Sequence, residues 1–315
     1  MTDRRTALIT GGTGSLGYQA AKAIAADGEW LVVITGRRPA EVSRAAAALS
    51  SETGAEVVGM PLDLGVLADV RRFTGELVNR GLPPLHAIVC NAGMQTVSGR
   101  SVTADGFEQT FAVNHLGHFL LVRDLLPHLA SQGRIVLVAS DTHDPTKRTG
   151  MPAPAYTDAR SLAHPDRPAR DSTARDSALA GRRRYTTSKL CNVLMAYELA
   201  RRLAAGSVQG PPTVTVNAFD PGLIPGTGLA RDYPTVQALA WRYLLPALTV
   251  LPGLNVHTPR RSGAALARLI TDPELAAVTG RYFSGIREIR SSADSYDLGK
   301  AADLWETSAD LVEAR

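Results

Sequence analysis

The chain is poor in cysteine, lysine and aromatic residues. Its two cysteines, Cys90 and Cys191, cannot form a disulfide framework across 315 residues. A reduced, cytoplasmic setting is therefore expected. Aromatics make up 5% of the chain and the formal net charge is only +4. No basic stripe interleaved with aromatics appears, so no nucleic-acid partner is expected. Long apolar runs are also missing. The stretch VQALAWRYLLPALTVLPGL at 236–254 is broken by Arg242, Pro246 and Pro252, which makes it a poor membrane span. It reads as a core helix, a substrate lid or a surface in peripheral contact with a membrane. The first strand signal starts almost at Met1, so no signal peptide is expected. His115 and His118 sit three apart but lack a third ligand, so no metal is expected.

What is present is an alternation of strand and helix signals. Short apolar runs at 6–10, 30–35, 56–60, 85–90, 134–139 and 213–218 read as strands, most of them buried on both faces. Periodic segments at 15–27, 39–51, 65–80, 105–130 and 186–205 read as helices. This alternation predicts an α/β fold: a doubly wound parallel sheet of the Rossmann type, as one domain over 1–315. Two regions break the rhythm. Residues 141–184 read as an insertion near the substrate mouth, either a flap or an arm for subunit contact. Residues 221–262 read as a substrate loop or lid.

The segment TGGTGSLG at 10–17 lies between the first strand and the first helix. Glycines there let the backbone approach a phosphate, and the helix N-terminus supplies free N–H groups and a positive dipole. Gly11, Thr13, Gly14, Ser15, Leu16 and Gly17 are thus candidate pyrophosphate contacts. The end of the second strand carries Arg37 and Arg38 and no acid. An acid there would accept bonds from a ribose, whereas arginine pairs with a 2′-phosphate, so NADP(H) is expected over NAD(H).

Tyr185 and Lys189 stand four apart, on one helix face. With so few tyrosines and lysines, about 0.1 such pairs are expected by chance. Ser140 ends one strand signal and Asn91-Ala92-Gly93 ends the one before it. Both should lie beyond the carboxyl edge of a parallel sheet, where ligands bind. Asn114 lies on the helix between them.

Together these motifs resemble the short-chain dehydrogenase/reductase family. The likeness rests on the glycine loop, Asp63-Leu64, Asn91-Ala92-Gly93, Asn114, Ser140, Tyr185/Lys189 and Pro221-Gly222, in order over about 5–230. VNHLGHFLL (113–121), YTTSKLCNVL (185–194), PGLIPGTGL (221–229) and the tail at 297–312 resemble its retinol dehydrogenase and protochlorophyllide reductase branch. The resemblance implies an NADP(H)-dependent oxidoreductase interconverting an apolar ketone or aldehyde and its alcohol. Tyr185 would be the acid/base, Lys189 would favour its phenolate and bond the nicotinamide ribose, and Ser140 would orient the carbonyl. Asn114 would hold a relay water. Asp63 and Leu64 would meet the adenine. Asn91, Ala92 and Gly93 would line the adenosine side, and Pro221, Gly222, Leu223, Ile224 and Thr227 the nicotinamide. Homo-oligomers are common in the family.

Some positions depart from the family pattern. Ser15 stands where the usual loop has glycine. Gly226 stands where many relatives have threonine, with Thr227 next. Leu223 stands where protochlorophyllide reductases carry cysteine, which argues against their light-driven reduction of a ring C=C bond. That reduction and a non-catalytic nucleotide-binding scaffold are the alternatives. His143, Met151 and Trp241 are candidate substrate contacts, with a solvated loop as the other reading of His143. Cys191 reads as a buried small residue. Arg182-Arg183-Arg184 reads as a solvated turn or an attractor of acidic substrates.

Overall fold

The computed structural model describes residues 4–96, 99, 101–164, 177–224 and 255–314. Eight strands form one sheet: β1 (Arg5–Ile9), β2 (Trp30–Gly36), β3 (Val57–Pro61), β4 (Leu85–Cys90), β5 (Leu129–Val138), β6 (Thr215–Asp220), β7 (Arg281–Ser284) and β8 (Arg287–Ile289). Their order is β3-β2-β1-β4-β5-β6-β7-β8. All neighbours pair in parallel except β7 and β8. Central strands meet helices on both faces. Hence β2 is buried from Trp30 to Thr35, and its sequence is a continuous apolar run.

One face carries α1 (Ser15–Ala25), α2 (Pro39–Thr53) and α6 (Pro259–Thr271). Its core includes Ala20, Ile24, Leu49 and Leu266 against Val32, Val89 and Phe219. The other face carries α3 (Leu67–Val78), α4 (Gln109–Phe111, Ala112–Leu116 and Gly117–Leu125), α5 (Ala178–Ala204) and α7 (Leu298–Glu313). Here Phe73, Phe119, Leu194 and Leu304 pack against Leu8, Ile88 and Leu137. The chain runs from β1 outward to β3, then returns to β4 on the other side of β1. That reversal opens a crevice at the carboxyl ends of β1 and β4.

The element α4 is three pieces in one: Gln109–Phe111, a π turn at Ala112–Leu116, and Gly117–Leu125. Gly117 presses this helix onto the loop after β3. A Cβ there would lie 2.2 Å from the Leu64 carbonyl oxygen.

The structure differs from the sequence expectations at several points. The 105–130 segment is not one helix, because β5 begins at Leu129. Gln132 takes a left-handed φ of 62° beside Gly133, and pairing with β4 shifts register there. The helix expected at 186 starts at Ala178, capped by Ser177. Arg182–Arg184 are therefore helical, not a turn. The region 221–262 ends inside α6, whose Thr258 side chain accepts from the Arg261 N–H. Strands β7 and β8 are too short to give a periodic signal.

Candidate active site

A cavity of about 1680 Å³ runs along the carboxyl ends of the strands. At one end lies the glycine loop. Gly11 takes φ +66°, and Gly14 turns extended to become the N-cap of α1. No side chain caps that helix end, so its first N–H groups remain for an anion. Asn91 fixes the loop by donating from Nδ2 to the Thr10 and Gly11 carbonyls at 2.8 and 3.3 Å. A Cβ on Gly17 would lie 2.5 Å from the Gly11 carbonyl oxygen, while one on Gly14 would meet nothing closer than 3.5 Å. Ser15 simply begins the helix. The two arginines part company: Arg37 lines the cavity, whereas Arg38 caps α2 and pairs with Glu41 on the surface at 2.8 Å. An uncapped helix end, a glycine cradle and Arg37 fit a phosphorylated dinucleotide.

Deeper in, three residues from two elements converge. Ser140 follows β5, while Tyr185 and Lys189 project from one face of α5. All three line the cavity. The Lys189 ammonium sits 5.5 Å from the Tyr185 ring centroid and donates to the Val138 carbonyl at 3.1 Å. Burial lowers its pKa to about 8, and the Asp220 carboxylate pulls the other way. Asn192 donates to the same carbonyl at 3.0 Å.

Asn114 lies behind this wall rather than on it. It is fully buried, and its amide is occupied by the Met94 backbone at 2.8 and 2.9 Å and by Ser188 at 2.9 Å. Ser188 in turn donates to the Tyr185 carbonyl at 2.7 Å. The Asn114 carbonyl lies within the π turn and accepts from His118 Nδ1 at 3.2 Å. A carbonyl can only accept, so His118 is the Nδ1–H tautomer, and Nε2 takes the Thr10 hydroxyl at 2.8 Å. Burial lowers His118 to about 4. His115 binds Ser308 of α7 at 2.9 Å. Neither histidine sits in a metal-like cluster among the described residues.

His143 is not a solvated loop residue. It is buried, its Nδ1 donates to the Ser140 carbonyl at 2.6 Å, and its Nε2 accepts the Ser292 N–H at 3.0 Å. Both nitrogens are thus engaged, although the ring borders the cavity. Met151 also borders it. Cys191 is buried in the core. Thr227 and Trp241 lie outside the described residues. Asp63, Leu64, Ala92, Gly93 and Pro221 through Ile224 all line the cavity.

Three further residues complete the site. Asp141 and Asp220 lie beside Ser140, and Asn255 Nδ2 donates to both, at 3.1 and 2.8 Å. Asp141 is raised to about 6 by burial first and the Asp220 charge second. Their adjacency to Ser140 and Pro221 was a usable signal in the sequence. Asn255 had none.

A family model described as short chain dehydrogenase matches residues 5–156. Protochlorophyllide reductase B, chloroplastic, of Oryza sativa subsp. japonica is 35% identical over 321 residues, covering 98% of this chain and 77% of that one. The WW domain-containing oxidoreductase of Danio rerio is 32% identical over 312 residues, covering 98% and 68%. Among solved structures, a short chain dehydrogenase from Burkholderia cenocepacia J2315 in complex with NADP aligns with a TM-score of 0.63 at 22% identity, covering 90% of this chain and 96% of that one. At that identity the likeness speaks for the fold.

Proposed function

This chain belongs to the short-chain dehydrogenase family, and from that premise we propose that it is an NADP(H)-dependent oxidoreductase interconverting an apolar ketone or aldehyde and its alcohol. The observation that carries this reading is the convergence of Ser140, Tyr185 and Lys189 on a cavity that also holds an uncapped glycine-loop helix end. NADPH held along Gly11–Gly17, Arg37 and Asp63 would supply the hydride. Tyr185 would give its phenolic proton to the developing alkoxide. Lys189, one turn away, would favour the phenolate left behind and keep that transfer accessible near neutral pH. Ser140 would orient the reacting oxygen. Met151, Leu223 and Ile224 would supply apolar wall for the substrate.

The test is a fluorescence titration with NADPH and NADH, followed by turnover of apolar carbonyls. Tight NADPH and weak NADH binding are expected, with the preference reduced about tenfold or more in Arg37→Ala and kept in Arg38→Ala. Tyr185→Phe should still bind NADPH but lose about 10²–10⁴ in kcat. Equal affinity for the two cofactors would overturn the arginine argument. Full activity in Tyr185→Phe would favour the scaffold reading.

A second reading is reduction of a ring C=C bond. It is favoured by the 35% identity with the rice protochlorophyllide reductase across nearly the whole chain. Leu223 supplies no thiol to such a reaction. Incubation with protochlorophyllide and NADPH in light and in darkness separates the two readings.

A further inference from the structure

The carboxyl pair beside Ser140 has a division of labour that the general mechanism does not use. Asp220 is fully supplied with donors. Its Oδ1 accepts the Asp141 and Gly222 N–H groups at 3.2 and 3.0 Å, and its Oδ2 accepts Asn255 and the Ser284 hydroxyl at 2.8 and 2.9 Å. Four donors thus already surround this carboxylate. Asp141 has far less: Asn255 on Oδ2 at 3.1 Å, and the Ser140 hydroxyl at 3.4 Å from Oδ1. A proton shared by the pair therefore belongs on Asp141.

Ser140 has one hydroxyl proton and two acceptor sites. One acceptor site takes the Thr142 N–H at 3.3 Å. When Asp141 is ionised, the hydroxyl proton points to its Oδ1, and Ser140 can only accept from a ligand. That suits an alcohol. When Asp141 is neutral, it can donate to Ser140 instead, and the hydroxyl is released to donate to a carbonyl oxygen.

We propose that Asp141 is a positioning residue that sets the hydrogen-bond direction of Ser140, turning it from an acceptor for alcohols into a donor for carbonyls when Asp141 takes up a proton. This rests on the carbonyl reading above. Burial and the Asp220 charge move Asp141 toward the pH range in which such a change operates. The other ionisable neighbours do not take over that role. His143 is held neutral by burial. Lys147 opposes the shift only weakly from the same loop. Tyr282, on β7, is kept protonated by burial and both carboxylates. Lys189 from α5 and His257 ahead of α6 face Asp220. Asp144 is tied up with Thr146.

The experiment is the pH profile of kcat/KM for carbonyl reduction in the wild type, D141N and N255A, each with NADPH. The wild type should lose up to about tenfold per pH unit above about 6. In D141N the amide oxygen would stay on Asn255 and the NH2 would face Ser140, so this limb should vanish. In N255A the loss of a donor to the carboxylate should move the limb to higher pH. Infrared spectra of the NADPH complex give a readout without turnover: a protonated-carboxyl band present below the limb and missing in D141N. An unchanged limb in D141N, or in N255A if D141N does not fold, overturns the proposal. Absence of any carbonyl turnover by the wild type overturns the functional reading and this inference with it.

Discussion

At the scale of single residues, the site holds groups that a stable core would not choose. Lys189 is 4% exposed, and its hydrogen bond goes to a carbonyl that Asn192 also satisfies. Burying a charge with so little compensation destabilises the fold. Lys189→Met should therefore abolish turnover while raising the melting temperature by about 1–3 °C. The pH sign follows from the lowered pKa. Between about 8 and 10.5 the unfolded chain binds the proton and the folded chain does not. Stability should thus rise with pH in that window in the wild type, and stay flat in Lys189→Met. His118 works at the acid end. Its folded value near 4 lies below the ordinary 6.5, so its contribution is present above 6.5 and is lost as pH falls toward 4. Unfolding free energies from urea titrations at pH 7 and pH 5 should differ by about 2 kcal/mol less in His118→Gln than in the wild type.

At the scale of elements, close approach decides which glycines matter. Gly17 faces the Gly11 carbonyl so closely that a methyl group must push the loop away, whereas Gly14 has room. Gly17→Ala should weaken NADPH binding by about tenfold or more, and Gly14→Ala should leave it nearly intact; calorimetric titration of both variants decides this. The opposite ranking would mean that the loop moves on binding. Much of this region was legible in the sequence. Apolar runs and glycine spacing located β1, β2, β4 and α1, because a strand buried on both faces leaves a continuous signal. The departure at Ser15 falls on the first residue of α1, where the fold accommodates a side chain. Other features were not legible. The π turn at Ala112–Leu116 carries no residue type that marks it in the sequence. Nothing in the sequence separates Arg38 from Arg37; the ion pair with Glu41 does. Asn255 is remote in sequence from the carboxylates it bridges, and nothing local marks it.

At the scale of the whole molecule, the candidate site is braced from behind by α7. Helix α7 contacts α4 through His115 and Ser308, and contacts α5 through the pairing of Arg202 with Glu306. Asp303 on the same helix takes the Tyr156 hydroxyl at 2.6 Å and the Ala159 N–H at 2.9 Å. It thereby anchors the described part of the 141–184 segment. The early motifs include Ser140, Tyr185 and Lys189, which meet at the cavity, and Asn114, which does not line it, but nothing in them marks residues near 303–308 as holding the site from behind. Such long-range contacts depend on the finished topology rather than on local pattern. Asp303→Asn should loosen this anchor, seen as faster amide exchange at Ala159 while exchange in β1 and β2 is unchanged.

This bracing has a consequence for how the protein is made. His115 and Ser308 are 193 positions apart, so the contact can form only after residue 308 has left the ribosome. The glycine loop and its first strands would be outside long before that, with the Phe119 face of α4 still lacking its cover by Trp305, whose ring it meets at 5.0 Å. During synthesis that apolar face is a natural site for a chaperone to hold. A chain arrested before residue 298 is expected to remain on such a chaperone, and release should coincide with the appearance of α7.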